Sequence, residues 1–304
     1  MSDSYLRFWG VRGSYSAPFD SHLGVGGNTS CVEIRVDDHI LLCDAGTGII
    51  AFGNEMMKQK DVRKLLIILT HYHWDHICGL PFFVPAFVPE WDISIFGPCQ
   101  SSKDIEEYVS AQMRAPYFPV GTETWLAHIN YPSPTEDHRM DYGPIAISYT
   151  NVHHPGTTYG YRIKVKGKTI IYISDNECLF LEKSISQQIN GMNAEEKELY
   201  ETMRKEEYES ELRLIEGADI LIHDAQYTPE DYQAKRGWGH SCYIDTVNNA
   251  IAAGVKELYL YHHDPNYDDK QMEQIDKHCQ QIIRSKNSPL ISHLAREGVI
   301  IDLD

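Results

Sequence analysis

The sequence predicts an α/β fold in which polar residues gather at the carboxyl ends of the strands. Short apolar runs at 64–69, 169–173, 219–222 and 257–261 alternate with helical segments, and each run stops just before an Asp or a His. In α/β sheets, ligands bind beyond the carboxyl ends of the strands, where loops carry polar groups. A dense histidine cluster follows the first of these runs, so we expect the functional site there.

Apolar runs, turn residues and the placement of Pro and Gly predict the strands and helices along the chain. Short β-like runs separated by turn signals predict a meander of strands over residues 5–42. The uninterrupted apolar run 64–69 (KLLIIL) is typical of a strand buried on both faces. Three segments without Pro or Gly predict helices, namely 193–215, 247–253 and 270–284.

We expect a single domain over residues 1–304. No composition break marks a boundary, and large α/β folds often reach this length. Residues 98–142 hold several aromatic residues and prolines without a clear period, so we interpret them as an excursion over the site and a candidate lid. Residues 178–215 are interpreted as a helical insertion of acidic character.

The composition is globular and strongly acidic. Apolar residues make up 42% of the chain, and 44 acidic residues against 27 basic ones give a formal net charge of −17. Nucleic-acid affinity rests largely on Lys and Arg that neutralise phosphates, so a long nucleic acid is an unfavourable partner. The negative net charge does not exclude a small anionic substrate, because the local positive charge of a bound metal can attract it.

The seven cysteines are scattered and never spaced as C-x-x-C, which predicts reduced, mostly buried thiols. No basic segment joined to an apolar one begins the sequence, and no apolar run approaches about 18 residues. We therefore expect a cytoplasmic protein without a signal peptide, a transmembrane helix or a membrane partner.

The strongest motif is an H-x-H-x-D-H cluster formed by His71, His73, Asp75 and His76. Three imidazoles and a carboxylate so close together do not suit ordinary core packing, because each buried polar group requires a partner. A transition metal supplies that partner. Nitrogen and oxygen ligands favour zinc, with manganese or iron as alternatives.

A centre with two metals needs further ligands at later strand ends. His154, Asp175 and His262 follow β-like runs and provide them. A carboxylate such as Asp175 can bridge two ions at the separation of about 3.5–4 Å that is typical of two-metal hydrolytic sites. His153 and His263 are direct neighbours of two of these residues. Because consecutive side chains on an extended segment point in opposite directions, only one histidine of each pair should face the metals.

Together these motifs resemble the metallo-β-lactamase superfamily, specifically its ribonuclease Z-like and cyclic-phosphodiesterase branch. The stretches that carry the resemblance are FWGVRGS (8–14), GGNTS (26–30), DAGTG (44–48), HYHWDH (71–76), HPG (154–156) with YGY (159–161), SD (174–175), HDA (223–225), GHS (239–241) and HHDP (262–265). The resemblance implies a four-layer αββα sandwich of two similar halves, with the site at one edge of the sheets.

The resemblance also implies how the two divalent metal ions are held. One ion is expected on His71, His73 and His154, the other on Asp75, His76 and His262, with Asp175 as the bridge. His154 is preferred to His153 because its distance to the YGY motif matches the family. His262 is preferred to His263 because it falls directly at a strand end, and the two remaining histidines are expected to make hydrogen bonds elsewhere.

Four acidic or basic residues receive further roles. Asp75, besides binding metal, is expected to orient the nucleophilic water. His240 resembles the family's phosphate-facing histidine, with Asp224 in the place of its acidic partner, where the ribonuclease branch usually has Glu. As a pair they are expected to donate to phosphate or to protonate the leaving oxygen. Asp44, which opens the turn 44–48, is expected to tie its loop near the metals rather than to touch substrate.

These features predict a metal-dependent phosphodiesterase acting on a small anionic phosphodiester, a cyclic nucleotide or a ribose cyclic phosphate. Aromatic residues of 98–142 offer stacking surfaces for a base. One alternative is a ribonuclease Z-type tRNA 3′-processing endonuclease, which the charge of −17 and the lack of a Gly/Pro-rich basic arm disfavour. Others are hydrolysis of esters, thioesters, lactones or lactams, and a flavodiiron-type oxidoreductase, which carries Glu where His73 stands. Because the family is often dimeric, a homodimer is a candidate assembly.

Overall fold

The computed structural model describes residues 4–59, 62–185 and 189–304, which form two seven-stranded sheets. The first sheet has the order β14-β1-β2-β3-β4-β5-β6 and contains β1 (Ser4–Gly10), β2 (Cys31–Val36), β3 (His39–Cys43), β4 (Lys64–Ile68), β5 (Asp92–Phe96), β6 (His128–Asn130) and β14 (Ile300–Asp302). The second has the order β13-β12-β11-β10-β9-β8-β7 and contains β7 (Arg139–Tyr142), β8 (Ile145–Asn151), β9 (Tyr159–Val165), β10 (Lys168–Ile173), β11 (Ile220–Asp224), β12 (Glu257–Tyr261) and β13 (Ile291–Leu294).

The two sheets repeat one pairing pattern, which makes the halves of the molecule similar. In the first sheet, β14, β1, β2 and β3 pair antiparallel, and β3, β4, β5 and β6 pair parallel. In the second, β7, β8, β9 and β10 pair antiparallel, and β10, β11, β12 and β13 pair parallel. The meander predicted near the start of the chain is confirmed by β1, β2 and β3.

The helices cover the sheets. They are α1 (Gly48–Met56), α2 (Trp74–Ile77), α3 (Ser102–Ala111), α4 (Phe180–Ile185), α5 (Ala194–Ile215), α6 (Pro229–Ala234), α7 (Tyr243–Ala252) and α8 (Asp269–Ser285). The three predicted helices are confirmed as α5, α7 and α8, although α7 begins at Tyr243, earlier than predicted. Helix α5 begins where Asn193 and Glu196 form a reciprocal capping box, which satisfies two of its otherwise unpaired backbone N–H groups.

One large apolar core joins the sheets. Residues 65–68 of β4 and 170–173 of β10 are buried without interruption, as expected for strands covered on both faces. Phe8 of β1 packs against Tyr259 and Tyr261 of β12, with ring centroids 5.5 and 6.2 Å apart, so the sheets lie face to face. Helix α1 packs on β1, while α7 and α8 pack on the second sheet. The predicted αββα sandwich is confirmed.

The segment 98–142 contributes to both sheets. It contains α3 and the two edge strands β6 and β7. Tyr108 of α3 packs against Tyr72 of the histidine loop, with ring centroids 4.8 Å apart, so this segment lies beside the site. Closure of the segment as a lid and the single-domain organisation stay predictions. The predicted insertion 178–215 contains α4 and α5, and its residues 186–188 lie outside the described residues.

The cysteines are free and mostly buried, which confirms the prediction made for them. None of the described helices combines the length and the apolar character needed to cross a bilayer.

Candidate metal centre

The structure brings the seven predicted ligands together at one edge of the two sheets. They follow β4, β8, β10 and β12, and all lie in loops except Asp75 and His76, which lie in the short helix α2. The mutually close groups, each with ligand atoms within 4.8 Å of one another, include His71, His73 and His154; Asp75, His76 and His262; and His71, His76 and Asp175. Each half of the molecule therefore contributes strand ends to one cluster.

Asp175 lies between two sets of imidazole nitrogens. Its Oδ2 atom is 3.7 Å from Nε2 of both His71 and His154. Its Oδ1 atom is 3.1 Å from Nε2 of His76 and 3.4 Å from Nε2 of His262. The two oxygens of one carboxylate thus face different histidine pairs, which is the arrangement that a bridging ligand requires.

Asp75 completes the second set of donors. Its Oδ2 atom lies 3.3 Å from Nε2 of His76 and 3.1 Å from Nε2 of His262. The same oxygen accepts a hydrogen bond of 2.7 Å from the backbone N–H of Ser14. This contact from the loop after β1 fixes the carboxylate, and no local pattern predicts it because a backbone N–H is the donor.

Several buried atoms of the cluster lack a partner in the described part of the chain, and a metal ion would supply one. Nε2 of His71, Nε2 of His76 and Oδ1 of Asp175 are buried and have no hydrogen-bond partner among the described residues. A buried polar group without a partner costs about 1–3 kcal/mol. Nδ1 of His73 and Nε2 of His154 also face each other at 3.0 Å. Imidazole nitrogens and carboxylate oxygens around one centre are donors that suit zinc.

The histidines are oriented through their other ring nitrogens. Nδ1 of His71 lies 3.0 Å from Oγ1 of Thr70, and Nδ1 of His154 lies 2.8 Å from the carbonyl of Gly239. Nδ1 of His262 lies 3.0 Å from Oε1 of Gln226. Such contacts fix the tautomer and the ring orientation, so Nε2 faces the cluster in each case.

Gln226 and Gly239 were missed by sequence reasoning. Gln226 stands two positions after the end of β11, where a polar side chain was a usable signal. Gly239 acts through its carbonyl, a group that every residue carries, so composition gave no signal for it. Its φ of +87° and the position of its absent Cβ, 2.4 Å from Nδ1 of His154, explain why glycine stands here.

Asp44 ties the histidine loop to the second sheet, as expected for it. The wholly buried carboxylate accepts hydrogen bonds from the backbone N–H of Thr70 at 2.7 Å and from Nδ1 of His76 at 2.8 Å. It also accepts from the hydroxyl of Tyr172 in β10 at 2.8 Å. Its closest partners are therefore protein groups of the histidine loop and of β10.

The electrostatics of the cluster couple histidines to carboxylates. Burial and the neighbouring histidine His76 lower the pKa of His71 well below its usual range. Burial also opposes the charge of His76, but Asp175, Asp75 and Asp44 outweigh it and raise the pKa of His76. Burial works against ionisation of Asp175 as well, yet the histidines around it hold its pKa well below the usual value. The centre is therefore built to keep carboxylates negative beside a positive charge.

His240 and Asp224 form a pair beside the cluster. Nδ1 of His240 lies 2.7 Å from Oδ2 of Asp224 and 3.8 Å from Oδ2 of Asp175. Asp224 also accepts from the backbone N–H groups of Gln226 and Ser241 at 3.0 and 3.2 Å. Burial raises the pKa of Asp224 to about 8, and burial lowers the pKa of His240. Because Asp224 accepts the Nδ1 proton, Nε2 of His240 is the nitrogen left for a ligand.

The histidines that were set aside make contacts elsewhere. Nε2 of His263 lies 3.0 Å from the carbonyl of Ala295. His153 is half-buried, and its ring stacks on Phe180 with centroids 3.7 Å apart. Neither contact joins the cluster.

The loop after β1 packs against the loop after β12. The buried Arg12 donates from Nε to the carbonyl of Gly26 at 2.7 Å and from Nη1 to the carbonyl of Tyr267 at 2.8 Å. A Cβ on Gly13 would lie 2.4 Å from the ring of His262, so the backbone must pass here without a side chain. The FWGVRGS stretch therefore positions His262.

Comparison with known proteins decides the family. The family model described as the β-lactamase superfamily domain matches residues 39–194, just over half of the chain. The chain belongs to the β-lactamase superfamily. Ribonuclease Z of Thermoplasma volcanium is 27% identical over 292 residues, covering 88% of this chain and 90% of the relative. The predicted resemblance to the ribonuclease Z-like branch of the superfamily is confirmed.

Solved structures agree with this membership at the level of the fold. The metallo-β-lactamase fold protein YhfI from Bacillus subtilis matches with a TM-score of 0.66 and 19% identity over 99% of both chains. A diphosphatase from the PhnP family matches with a TM-score of 0.63 and 14% identity, covering 99% of this chain and 98% of its own. Both matches show that this chain shares its fold with these proteins.

In this β-lactamase superfamily member, an open cleft of about 580 Å³ lies beside the histidine loop. Its lining includes four aromatic side chains, Tyr72, Trp74, Tyr108 and Tyr117. Trp74 and Tyr117 are 78% and 82% exposed, so their rings are free to contact a ligand. Tyr108 and Tyr117 belong to the segment 98–142, from which the sequence predicts stacking surfaces.

Proposed function

We propose that this protein is a two-metal phosphodiesterase that hydrolyses a small phosphodiester, a cyclic nucleotide or a ribose cyclic phosphate, in the cytoplasm. The observation that carries the proposal is Asp175, whose two oxygens face two separate histidine pairs. The first ion would be held by His71, His73 and His154, and the second by Asp75, His76 and His262. We expect zinc at both positions, with manganese or iron as alternatives.

Two ions at these residues would supply a water of lowered pKa and would bind the oxygens of the phosphate. Asp75, fixed by Ser14, presents a carboxylate oxygen that can accept a hydrogen bond from the attacking water. His240, held through Nδ1 by Asp224, presents Nε2 to the substrate. Burial disfavours the protonated imidazole, but the negative charge of a bound phosphate would favour it, and His240 would then donate from Nε2 to a phosphate oxygen or to the leaving oxygen as the P–O bond breaks.

Charge favours a small substrate. The net charge is −17, and α5, in the predicted insertion, has twice as many acidic as basic residues in AEEKELYETMRKEEYESELRLI. An acidic helix repels a polyanion, whereas one phosphodiester needs only the local charge of the metals. The cleft lined by Tyr72 and Trp74 has a volume of about 580 Å³, which is room for a single nucleotide.

A ribonuclease Z-type tRNA 3′-processing endonuclease is the second candidate. The observation that favours it is the 27% identity to the Thermoplasma volcanium ribonuclease Z over nearly the full length of both chains.

A substrate panel separates the two candidates. Cyclic mononucleotides, cyclic dinucleotides, linear dinucleotides and precursor tRNA would be compared at one salt concentration with the zinc-loaded enzyme. We expect kcat/KM to be highest for a cyclic or small phosphodiester, because the acidic chain offers little to the tRNA backbone. A higher kcat/KM for precursor tRNA would establish the second candidate instead.

The aromatic cleft gives a second prediction. Replacing Tyr117 with alanine should raise the KM for a cyclic nucleotide roughly fivefold to a hundredfold, since stacking of one base contributes about 1–3 kcal/mol. kcat should change little, because Tyr117 lies outside the loops that hold the metal ligands.

The matched control is Tyr117→Phe, which retains the ring and should retain the KM. A cyclic phosphate without a base should be hydrolysed equally by all three proteins. If Tyr117→Ala raised the KM of both substrates alike, the cleft would not be a base site.

A further inference from the structure

A second group of metal-type ligands lies apart from the centre described above. Cys178, Glu211 and His223 present ligand atoms within 4.8 Å of one another. They come from the loop after β10, from α5 and from β11. Sγ of Cys178 lies 2.8 Å from Oε1 of Glu211, and Nε2 of His223 lies 3.9 Å from the same oxygen. Three different elements thus meet at one carboxylate.

The imidazole of His223 is aimed into this group without a partner. Its Nδ1 atom lies 2.8 Å from the carbonyl of Asp224, so Nδ1 carries the proton and Nε2 carries a lone pair. His223 is 1% exposed, and Nε2 has no hydrogen-bond partner among the described residues. Leaving such a buried atom without a partner is unfavourable, and an ion bound by the same atom would remove that cost.

We propose that Cys178, Glu211 and His223 bind a third divalent ion, zinc. Thiolate sulfur, imidazole nitrogen and carboxylate oxygen are the three donor types that zinc takes in proteins. On binding, the Cys178 thiol releases its proton to solvent, and a sulfur–metal bond replaces the S–H bond. The hydrogen bond between the thiol and Glu211 is lost in the same step, and Glu211 becomes a ligand.

The surroundings supply the other requirements of a metal site. Oε1 of Glu211 is held by Nδ2 of Asn249 at 2.6 Å, and the His223 ring is held by the Asp224 carbonyl. A cavity of about 240 Å³, lined in part by Asn176 and Glu211, reaches the Glu211 side of the group and offers an entry path for an ion and for a water as fourth ligand.

The ion would fasten α5 to β11. His223 immediately precedes Asp224, the partner of His240. The ion would therefore stabilise the end of β11 from which Asp224 reaches His240. The site shares no residue with the two-metal centre, and none of the seven ligands proposed there is a cysteine.

That difference in ligands gives a direct test on the full-length protein. The chain would be stripped of metal by chelation and titrated with Co²⁺, with bound ions counted by elemental analysis. We expect a thiolate-to-cobalt charge-transfer absorption in the near ultraviolet and one bound ion beyond those of the histidine centre. Cobalt bound only by imidazole and carboxylate does not produce this band.

Cys178→Ser should abolish the band and lower the ion count by one. Cys279→Ser, which alters an equally buried thiol in α8, should retain both. Glu211→Gln, which leaves the thiol in place, should weaken the cobalt affinity that the band reports roughly tenfold or more, since even outer partners of metal ligands contribute that much. Wild-type protein saturated with cobalt but lacking the band, or a band that persists in Cys178→Ser, would overturn the proposal. Both results are independent of which substrate the enzyme hydrolyses.

Discussion

Replacing His154 with alanine is expected to reduce kcat/KM for bis(p-nitrophenyl) phosphate about a thousandfold. Nε2 of His154 lies 3.0 Å from Nδ1 of His73 and 3.7 Å from Oδ2 of Asp175, so its loss removes one of the donors proposed for the first ion. A metal contributes several kcal/mol of charge stabilisation in the transition state, and each 1.36 kcal/mol is about tenfold in rate. Elemental analysis of the purified variant should find fewer ions per chain than in the wild type.

The adjacent histidine is the matched control. His153→Ala removes the same side chain one position earlier in the chain, but His153 stacks on Phe180 and does not join the cluster. Its kcat/KM and the occupancy of the histidine centre should equal those of the wild type. Equal losses in both variants, or an unchanged metal content in His154→Ala, would contradict the proposed ligand set.

The fold and the position of the site were predictable because strand ends carry a strong local signal. The apolar run of β4 changes abruptly into the polar cluster 71–76, and the same change occurs after β10 and β12. Since these strands belong to the parallel parts of the two sheets that face each other, residues distant in sequence had to meet at one edge. His262 was predicted to face the metals because it directly follows β12, and it does lie beside Asp75 and Asp175.

The edge strands were not predictable. β6 and β7 span only His128–Asn130 and Arg139–Tyr142, too short for an alternation of apolar and polar residues to be recognised. Their place in the sheets is fixed by tertiary pairing with β5 and β8. The segment 98–142 was therefore interpreted as an excursion, although its C-terminal part contributes one edge strand to each sheet.

Local sequence patterns also could not predict the groups that orient the site residues. The carbonyl of Gly239 and the backbone N–H of Ser14 act through groups that every residue but proline carries. Cys178, Glu211 and His223 are separated by long stretches of chain and match no spacing motif. Only the packing of α5 against the second sheet brings them together.

The second large effect is expected at the pair formed by His240 and Asp224. Replacing His240 with alanine should lower kcat about a hundredfold or more while leaving metal content intact, because it removes a proton donor rather than a proposed ligand. Asp224→Asn should lower kcat as well. In the wild type, the two carboxylate oxygens of Asp224 accept from four donors, whereas the asparagine amide has only one acceptor oxygen. The imidazole of His240 would therefore lose the acceptor that keeps its proton on Nδ1. Steady-state kinetics on a small phosphodiester and elemental analysis measure both variants.

The double variant tests whether Asp224 acts through His240. If it does, His240→Ala/Asp224→Asn should be no slower than His240→Ala alone, because the imidazole that Asp224 orients is already gone. Losses that multiply instead would mean that Asp224 affects turnover by another route, such as the backbone N–H groups of Gln226 and Ser241 that it holds. Thermal unfolding of each variant separates that route from the catalytic one. Leaving those donors without an acceptor would lower the free energy of unfolding by about 1–3 kcal/mol, whereas His240→Ala leaves them paired.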